Sequence, residues 1–480
     1  MRGQIILKVQ IYIIKKVYQH HLLELVSFRF LWSVENYNVQ EERVIMRKYL
    51  ILSSILFFIC SVYMYAQSID SSYKVATWRG FRKAAVTFTF DDNCSNQFSK
   101  ALPLFDTYGF KMTFYPVINW SPDWNILRSA ALNGHEVGSH TVSHPHLSSL
   151  TIEQQANELV NSQNKINTEI TVQKCLTIAY PYCELGNDSL IRSHYIAGRG
   201  CSGAIEKSTP NNFMNISSII CGSQGLVKGI NDFMNKLKSS VSSKGWVVFL
   251  IHGIDNDGGY SPISSDTLKT VLDSLDNYRS TYWIATFLNV VQYIRERNSV
   301  SINELENNDS TIVLELADTL DNNIYNCPIT VQRILPDDWE TAVAYQNGKM
   351  LESRIETVSS NKYIIFDVVP DNGYILISKH CSSFARSKES LHLEKPYLFQ
   401  NYPNAFNPCT TIEFSLPKRS HVKISVFNTL GECVIDLADG VFEAGIHKIN
   451  LDSNTLSSGV YFYELQANEY SVVKKLVVLK

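Results

Sequence analysis

Between residues 75 and 297, short apolar runs alternate with longer stretches whose apolar residues recur at helical spacing. The runs at 85–90 (AVTFTF), 113–117 (TFYPV), 176–179 (LTIA), 246–251 (WVVFLI) and 282–285 (YWIA) are rich in β-branched and aromatic residues, and each is read as a strand. Residues 151–170 read as a helix: Ile152, Ala156, Leu159, Val160 and Ile166 supply one apolar face, and Thr151 with Gln154 makes a capping box. Residues 287–297 read as another helix. Sustained strand–helix alternation predicts a parallel α/β sheet or barrel.

The pattern changes after Ser299. Residues 301–310 (SINELENNDS) are polar and read as a linker. Short alternating runs such as 311–316 (TIVLEL) and 363–366 (YIIF), separated by turns at Asn347-Gly348 and Asp371-Asn372-Gly373, then predict a small all-β domain over 311–380. A third segment, 398–480, is again strand-like, with runs at 411–416, 421–427, 460–466 and 471–479. At 480 residues the chain is long enough for about two to four modules, which agrees with this partition.

The N-terminus reads as non-structural. Met46-Arg47-Lys48 is a basic start, 49–59 (YLILSSILFFI) is apolar, and Ala66 is a small residue placed for cleavage, so 46–66 is a signal peptide. An uncleaved anchor is the alternative, the run being close to the shortest that spans a bilayer. A signal peptide begins its chain, and residues 1–45 are therefore expected to be a gene-start artefact. Ten cysteines minus Cys60 leave nine. Export permits disulfides, and Cys175, Cys183, Cys201 and Cys221 lie close enough in sequence for two local bridges, with at least one thiol left over. A net charge of −3 gives no electrostatic footprint for nucleic acid or an anionic membrane surface; a neutral glycan is compatible with it.

Four short motifs carry chemistry. Thr89-Phe90-Asp91-Asp92 ends a strand with two carboxylates, and in barrels the C-terminal strand ends form the mouth of the active site. Adjacent carboxylates repel and must be solvated or metal-bound. His140-Thr141-Val142-Ser143-His144 offers two imidazoles that face one cation if the segment is helical or tightly turned. His135 and His146 are left as supporting or surface residues, since three protein ligands suffice for an open catalytic site, and Glu136 as a strand-end residue satisfied by hydrogen bonds. Ala179-Tyr180-Pro181-Tyr182 runs a strand into a proline-fixed turn able to aim a backbone N–H at a developing oxyanion. Phe249-Leu250-Ile251-His252-Gly253 closes a strongly apolar strand with a histidine.

Taken in order, the four motifs resemble the polysaccharide deacetylase family with the NodB-type domain, carbohydrate esterase family four, over residues 74–298. The resemblance implies a distorted (β/α) barrel followed by two small all-β modules. It implies a divalent metal, usually zinc, held by Asp92, His140 and His144, with Asp91 as general base, His252 as general acid and the Tyr182 backbone N–H in the oxyanion hole. The implied reaction is hydrolysis of N-acetyl or O-acetyl groups on a polysaccharide, a carbon–nitrogen (but not peptide) bond in the first case. Ala179 stands where the family often has an arginine that holds the catalytic aspartate, and Arg199 is the first candidate to replace it. Asn93 stands where glycine is usual, and no Asp/Trp motif is found between Tyr182 and Leu250.

Asn401-Tyr402-Pro403-Asn404-Ala405-Phe406-Asn407-Pro408, with the closing 458–463 and 474–479, resembles a C-terminal sorting domain of the type IX secretion system over 398–480. That implies export through the periplasm to a secreted or cell-surface location and removal of the domain, the secretion machinery being one partner and an acetylated glycan the other. No nucleic-acid partner and no membrane span after signal cleavage are expected. The competing readings are a catalytically silent glycan-binding protein or a cell-surface protein retaining the barrel, and, for the tail, a carbohydrate-binding β-sandwich.

Overall fold

The computed structural model describes residues 72–379 and 395–479; the segments read as signal peptide (46–66) and gene-start artefact (1–45) lie outside them. Seven parallel strands form a barrel. They are β1 (Ala84–Asp91), β2 (Thr113–Tyr115), β3 (Glu136–Val137), β4 (Thr177–Ala179), β5 (Ala197–Arg199), β6 (Ile219–Ile220) and β7 (Trp246–Ile251). β1 pairs with β2 and β7, β2 with β3, β4 with β5, and β6 with β7. Single bridges, Ser139 to Ile178 and Arg199 to Ile216, join the remaining edges and close the ring. β8 (Tyr282–Ile284) pairs with the first half of β1, on the edge that β2 takes further along, which distorts the barrel at its N-terminal end. β1 and β7 are buried along their whole length, so they read as continuous apolar runs rather than alternating ones.

Helices α1 (Leu102–Tyr108), α2 (Trp124–Leu132), α3 (Ile152–Glu169), α4 (Asp188–His194), α5 (Ile230–Ser243), α6 (Ser265–Asn277) and α7 (Phe287–Ser299) accompany the strands. α3 starts with the reciprocal Thr151–Gln154 capping box. Its buried stripe is Gln155, Leu159, Ser162 and Ile166, and Ile152 points to solvent at 64% exposure. The apolar face read from the sequence was therefore rotated. Two stripe positions are polar residues satisfied by hydrogen bonds, Gln155 to Leu150 O and Asn187 N–H, and Ser162 to Ser139, which hydropathy does not count.

Two antiparallel sheets follow. The four-stranded one runs Tyr73–Val75, Ile329–Ile334, Asn361–Val368, Ser353–Val358; the five-stranded one runs Ser301–Asn307, Thr311–Ala317, Tyr374–Ser378, Val343–Gln346, Lys349–Met350. The linker expected at 301–310 is thus mostly an edge strand. Its polarity reflects one ladder partner and an exposed outer edge, with a register shift between Glu304 and Glu306. The strand Tyr73–Val75 precedes the barrel in the chain yet pairs with Ile329–Ile334. One apolar core includes Trp283, Val290, Tyr293 and Ile294 of the barrel end together with Ile312, Val331 and Phe366 of these sheets. The last module packs a three-stranded sheet (Tyr397–Leu398, Cys409–Leu416, Gly445–Asp452) against a four-stranded one (Cys433–Phe442, Ser420–Phe427, Gly459–Ala467, Tyr470–Val478) around a core of its own.

Of the two local bridges considered, Cys183–Cys201 is formed, and Cys175 and Cys221 are buried thiols. Burial pushes both thiols up, so neither is poised to react. No helix among the described residues is long and apolar enough to cross a membrane.

Candidate active site

The barrel register brings the motif residues to one level. Phe90 pairs with Ile251 and Asp91 with Tyr115, so Asp91 ends β1 beside His252, the first residue beyond β7. Asp92 and Asn93 then turn in left-handed conformation (φ 76° and 57°), and the Asn93 side-chain amide donates to Val117 O at 3.0 Å. This local bond holds at Asn93 the backbone region for which glycine is usual. Gln97 Nε2 donates to both Asp91 O and His252 O, tying the ends of β1 and β7 together.

The histidine segment is a turn rather than a helix, with positive φ at Thr141 (68°) and His144 (59°). Glu158 of α3 fixes it: Oε2 accepts the Val142 and Ser143 N–H groups at 2.9 Å each, and Oε1 accepts Ser143 Oγ at 2.6 Å. His140 Nδ1 lies 2.8 Å from Ala179 O. Because a carbonyl only accepts, the proton is on Nδ1 and the Nε2 lone pair is free. His140 Nε2 and His144 Nε2 lie 3.5 and 3.7 Å from Asp92 Oδ1, an atom that is buried and has no hydrogen-bond partner among the described residues.

One carboxylate oxygen and two imidazole nitrogens, all within 4.8 Å of one another, form an N/O donor set of the kind that suits zinc. The fit rests on the orphaned Asp92 oxygen and the free Nε2 lone pair of His140, with His144 Nε2 beside them, which a cation would satisfy together. Burial works against the Asp92 charge, but His140, His252 and His144 outweigh it and hold the carboxyl below its usual range. Burial likewise opposes charge on His140, where Asp91 and Asp92 prevail and raise its pKa, whereas burial dominates at His144 and His252 and lowers theirs.

Asp91 is 1% exposed. Its Oδ2 accepts Arg199 Nη2 at 2.6 Å, and its Oδ1 has no partner among the described residues. Arg199 lies on β5 as the register partner of Ala179 on β4, so the guanidinium arises one strand over from the position where the family often carries it. The Tyr115 ring lies beneath it at 5.4 Å. His252 Nε2 stands 4.0 Å from Asp91 Oδ2 and 3.9 Å from Asp92 Oδ2, and its Nδ1 is buried without a partner among the described residues. Tyr182 sits in the Pro181–Cys183 turn with φ 54°, its side chain outside, and the Cys183–Cys201 disulfide ties this turn to the segment just after β5.

His135 and His146 do not join the cluster. His135 Nδ1 faces the Met112 N–H and Nε2 faces Asp106; His146 stacks on the Tyr182 ring at 3.8 Å. Glu136 is buried and raised by that burial, although Thr113, Thr177 and the Leu288 N–H bond to it. Sequence reasoning missed Gln97 and Glu158, which touch no motif in sequence. It also missed Trp120 and Tyr260, exposed aromatics whose rings lie 5.1 Å from His144 and His252. Exposed aromatics in loops were the available signal.

Residues 79–195 match the polysaccharide deacetylase family, and residues 400–479 match the secretion system C-terminal sorting domain. Among curated proteins, a gellan lyase from Bacillus sp is 30% identical over 332 residues, 65% of this chain and 13% of the relative. A peptidoglycan-N-acetylglucosamine deacetylase from Bacillus cereus is 30% identical over 89 residues, 18% of this chain and 32% of the relative. The chain therefore spans a third or less of each of these two relatives. A solved family 4 carbohydrate esterase from Bacillus anthracis is 16% identical, with 44% of this chain and 83% of that one covered at a TM-score of 0.31.

Proposed function

We propose that this chain, which belongs through residues 79–195 to the polysaccharide deacetylase family and ends in a secretion-system sorting domain, is an exported, metal-dependent hydrolase that removes acetyl groups from a glycan. The observation that carries the reading is the convergence of Asp91, Asp92, His140, His144, Arg199 and His252 at one end of the barrel. Asp92, His140 and His144 would hold a divalent cation, which when bound polarises an acyl carbonyl and lowers the pKa of a bound water. Asp91, fixed by Arg199 and kept from solvent, takes the proton of the attacking water. His252, 4.0 Å from Asp91 Oδ2 and 3.9 Å from Asp92 Oδ2, gives a proton to the departing amine or alcohol. The Tyr182 N–H, on a proline-preset turn, meets the oxyanion.

The Bacillus cereus relative is named a peptidoglycan-N-acetylglucosamine deacetylase, which makes an N-acetyl sugar the first substrate to try. Lyase chemistry is not carried over, since the match covers 13% of the gellan lyase. The deciding experiment is acetate release from chitin oligomers, peptidoglycan, poly-N-acetylglucosamine and acetylxylan, with and without chelator. Release that chelation abolishes and zinc or cobalt restores is expected. Activity in verifiably metal-free protein would remove the mechanism, and release from none of the four would leave the silent glycan-binding reading standing.

A further inference from the structure

The rim of the site carries aromatic side chains that the proposed chemistry does not use. Five tryptophan, tyrosine and phenylalanine side chains stand exposed among the described residues: Trp120, Tyr182, Tyr260, Tyr278 and Phe462. Three of them border the histidines of the site. The Trp120 and Tyr182 rings lie 5.1 and 4.7 Å from the His144 ring, and the Tyr260 ring lies 5.1 Å from that of His252. Trp120 is 47% exposed, Tyr182 55% and Tyr260 46%, so each leaves a large part of its surface in water. The two histidines face different oxygens of one carboxylate: His144 Nε2 is 3.7 Å from Asp92 Oδ1, and His252 Nε2 is 3.9 Å from Asp92 Oδ2. Aromatic surface thus borders both histidines, one ring further out than the groups that meet the acyl bond.

The backbone holds these rings in place. Trp120 ends the turn Ile118–Trp120. The Asn119 N–H donates to Val142 O at 2.9 Å, and the Asn93 amide donates to Val117 O at 3.0 Å and to Trp120 O at 3.4 Å. The turn is thereby tied to the histidine segment and to the residue that follows Asp92. Tyr260 lies in the loop 253–263, where its carbonyl accepts the Gly253 N–H at 3.1 Å. Asp257 braces that loop: Oδ1 accepts the Ile254 and Gly259 N–H groups at 3.1 and 3.3 Å, and Oδ2 accepts the Asn96 N–H at 3.0 Å. A Cβ on Gly253 would come within 2.8 Å of Gly259 O, so the loop closes this tightly only with glycine there. The Tyr182 ring is backed by His146, stacked at 3.8 Å, whose Nδ1 lies 3.1 Å from Glu184 Oε1. Aromatic side chains fixed in advance lose little freedom when a ligand covers them.

An aromatic face left in water is costly, and it gains most from a partner with an apolar face of similar size and a polar rim. A pyranose ring is such a partner, with C–H bonds on its faces and hydroxyl groups around its edge. The rings here are set among polar residues, with Asn119 and Ser121 exposed beside Trp120 and Glu184 beside His146, rather than in one apolar patch; that fits a sugar better than an apolar peptide. We propose that Trp120 and Tyr260 are stacking platforms for the sugar rings that neighbour the one being deacetylated, so that the site engages a run of sugars rather than a single one. Asn93, standing where glycine is usual, positions the Trp120 platform. The proposal rests on the deacetylase reading of the same site.

The test compares two-sugar and six-sugar members of two series, N-acetylglucosamine oligomers and acetylated xylo-oligomers. Binding is measured calorimetrically on zinc-loaded full chain carrying Asp91→Asn, which needs no turnover, and kcat/KM for acetate release is measured with Asp91 intact. In one series six sugars should bind and react roughly tenfold or more better than two. Trp120→Ala and Tyr260→Ala should each cut that length advantage by roughly tenfold, as loss of one aromatic anchor does. Trp120→Phe, which keeps a ring, should restore most of it. Asn93→Gly, which the left-handed backbone at that position accepts, should cut it in the same direction but less. A wild-type chain with no preference for six sugars over two in either series overturns the proposal without any variant. So does a length advantage that survives both alanine variants, or an equal fall for both lengths, which would make the rings merely structural. Length-dependent binding that needs Trp120 and Tyr260, with no acetate released, would instead sink the deacetylase reading and leave the platforms standing.

Discussion

The Asp91–Arg199 pair offers the sharpest perturbation, because its two side chains are only 2% and 1% exposed and solvent screens neither. Arg199→Ala leaves a carboxylate buried with one fewer donor, and removing one partner of a buried ion pair costs about 3–5 kcal/mol. The freed aspartate also loses its orientation, and misplacing a reacting group by about 1 Å costs roughly a hundredfold in rate. Ala179→Arg alone should be harmful too, by about 1–3 kcal/mol for overpacking, since Ala179 is fully buried and its neighbour already fills the space. The two positions are register partners on adjacent parallel strands, about 4.8 Å apart with side chains on the same face. The double exchange Ala179→Arg with Arg199→Ala conserves volume and returns one guanidinium to Asp91. It should recover much of both losses, with a coupling of about 1–3 kcal/mol in a double-mutant cycle. Chemical denaturation and kcat/KM for acetate release are the readouts. If Arg199→Ala leaves both unchanged, or if the double exchange is no better than the sum of the single ones, the assignment of Arg199 to Asp91 is wrong.

Further predictions concern the roles at the mouth and the tail. Asp91→Asn should keep metal but lower the rate roughly a hundredfold or more, whereas Asp92→Asn should lose metal and regain part of its activity when metal is added; metal analysis beside rate measurement tells them apart, and the opposite pattern reverses the assignment. His252→Ala should retain metal and fold while slowing amide substrates more than esters, because an amine needs a proton to leave; equal slowing would argue against a general acid. Deleting residues 398–480 should leave the rest of the chain folded and active but held inside the outer membrane, as followed by cell fractionation, and normal export of the truncated protein would mean the tail is no sorting signal.

Strand ends were legible in the sequence because parallel barrel strands are long apolar runs that stop where chemistry begins. Asp91 and Asp92 after AVTFTF and His252 after WVVFLI could be placed on that ground alone. Order along the chain also carried the family resemblance. What was not legible depends on pairing between distant segments. Ser301–Asn307 looks like a linker until its ladder to Thr311–Ala317 is known, and Tyr73–Val75, a strand of three residues, gives no sign in sequence that it pairs with Ile329–Ile334. Glu158 is one polar residue among many on α3, and nothing local marks it as the acceptor that turns His144 inward.

Ala179 shows the same limit at the level of a single function. Read along the chain, the third motif has lost its arginine, and Arg199 is one of many cations that might stand in. Read across the sheet, Ala179 and Arg199 are neighbours, and the guanidinium reaches the Asp91 oxygen by starting one strand further round the barrel. The requirement is a positive charge in a buried volume beside β1, and any strand that borders that volume can meet it. A motif records only one strand that can supply it. Departure from a motif in a closed sheet is therefore weak ground for loss of function until the register partners of the missing residue are known.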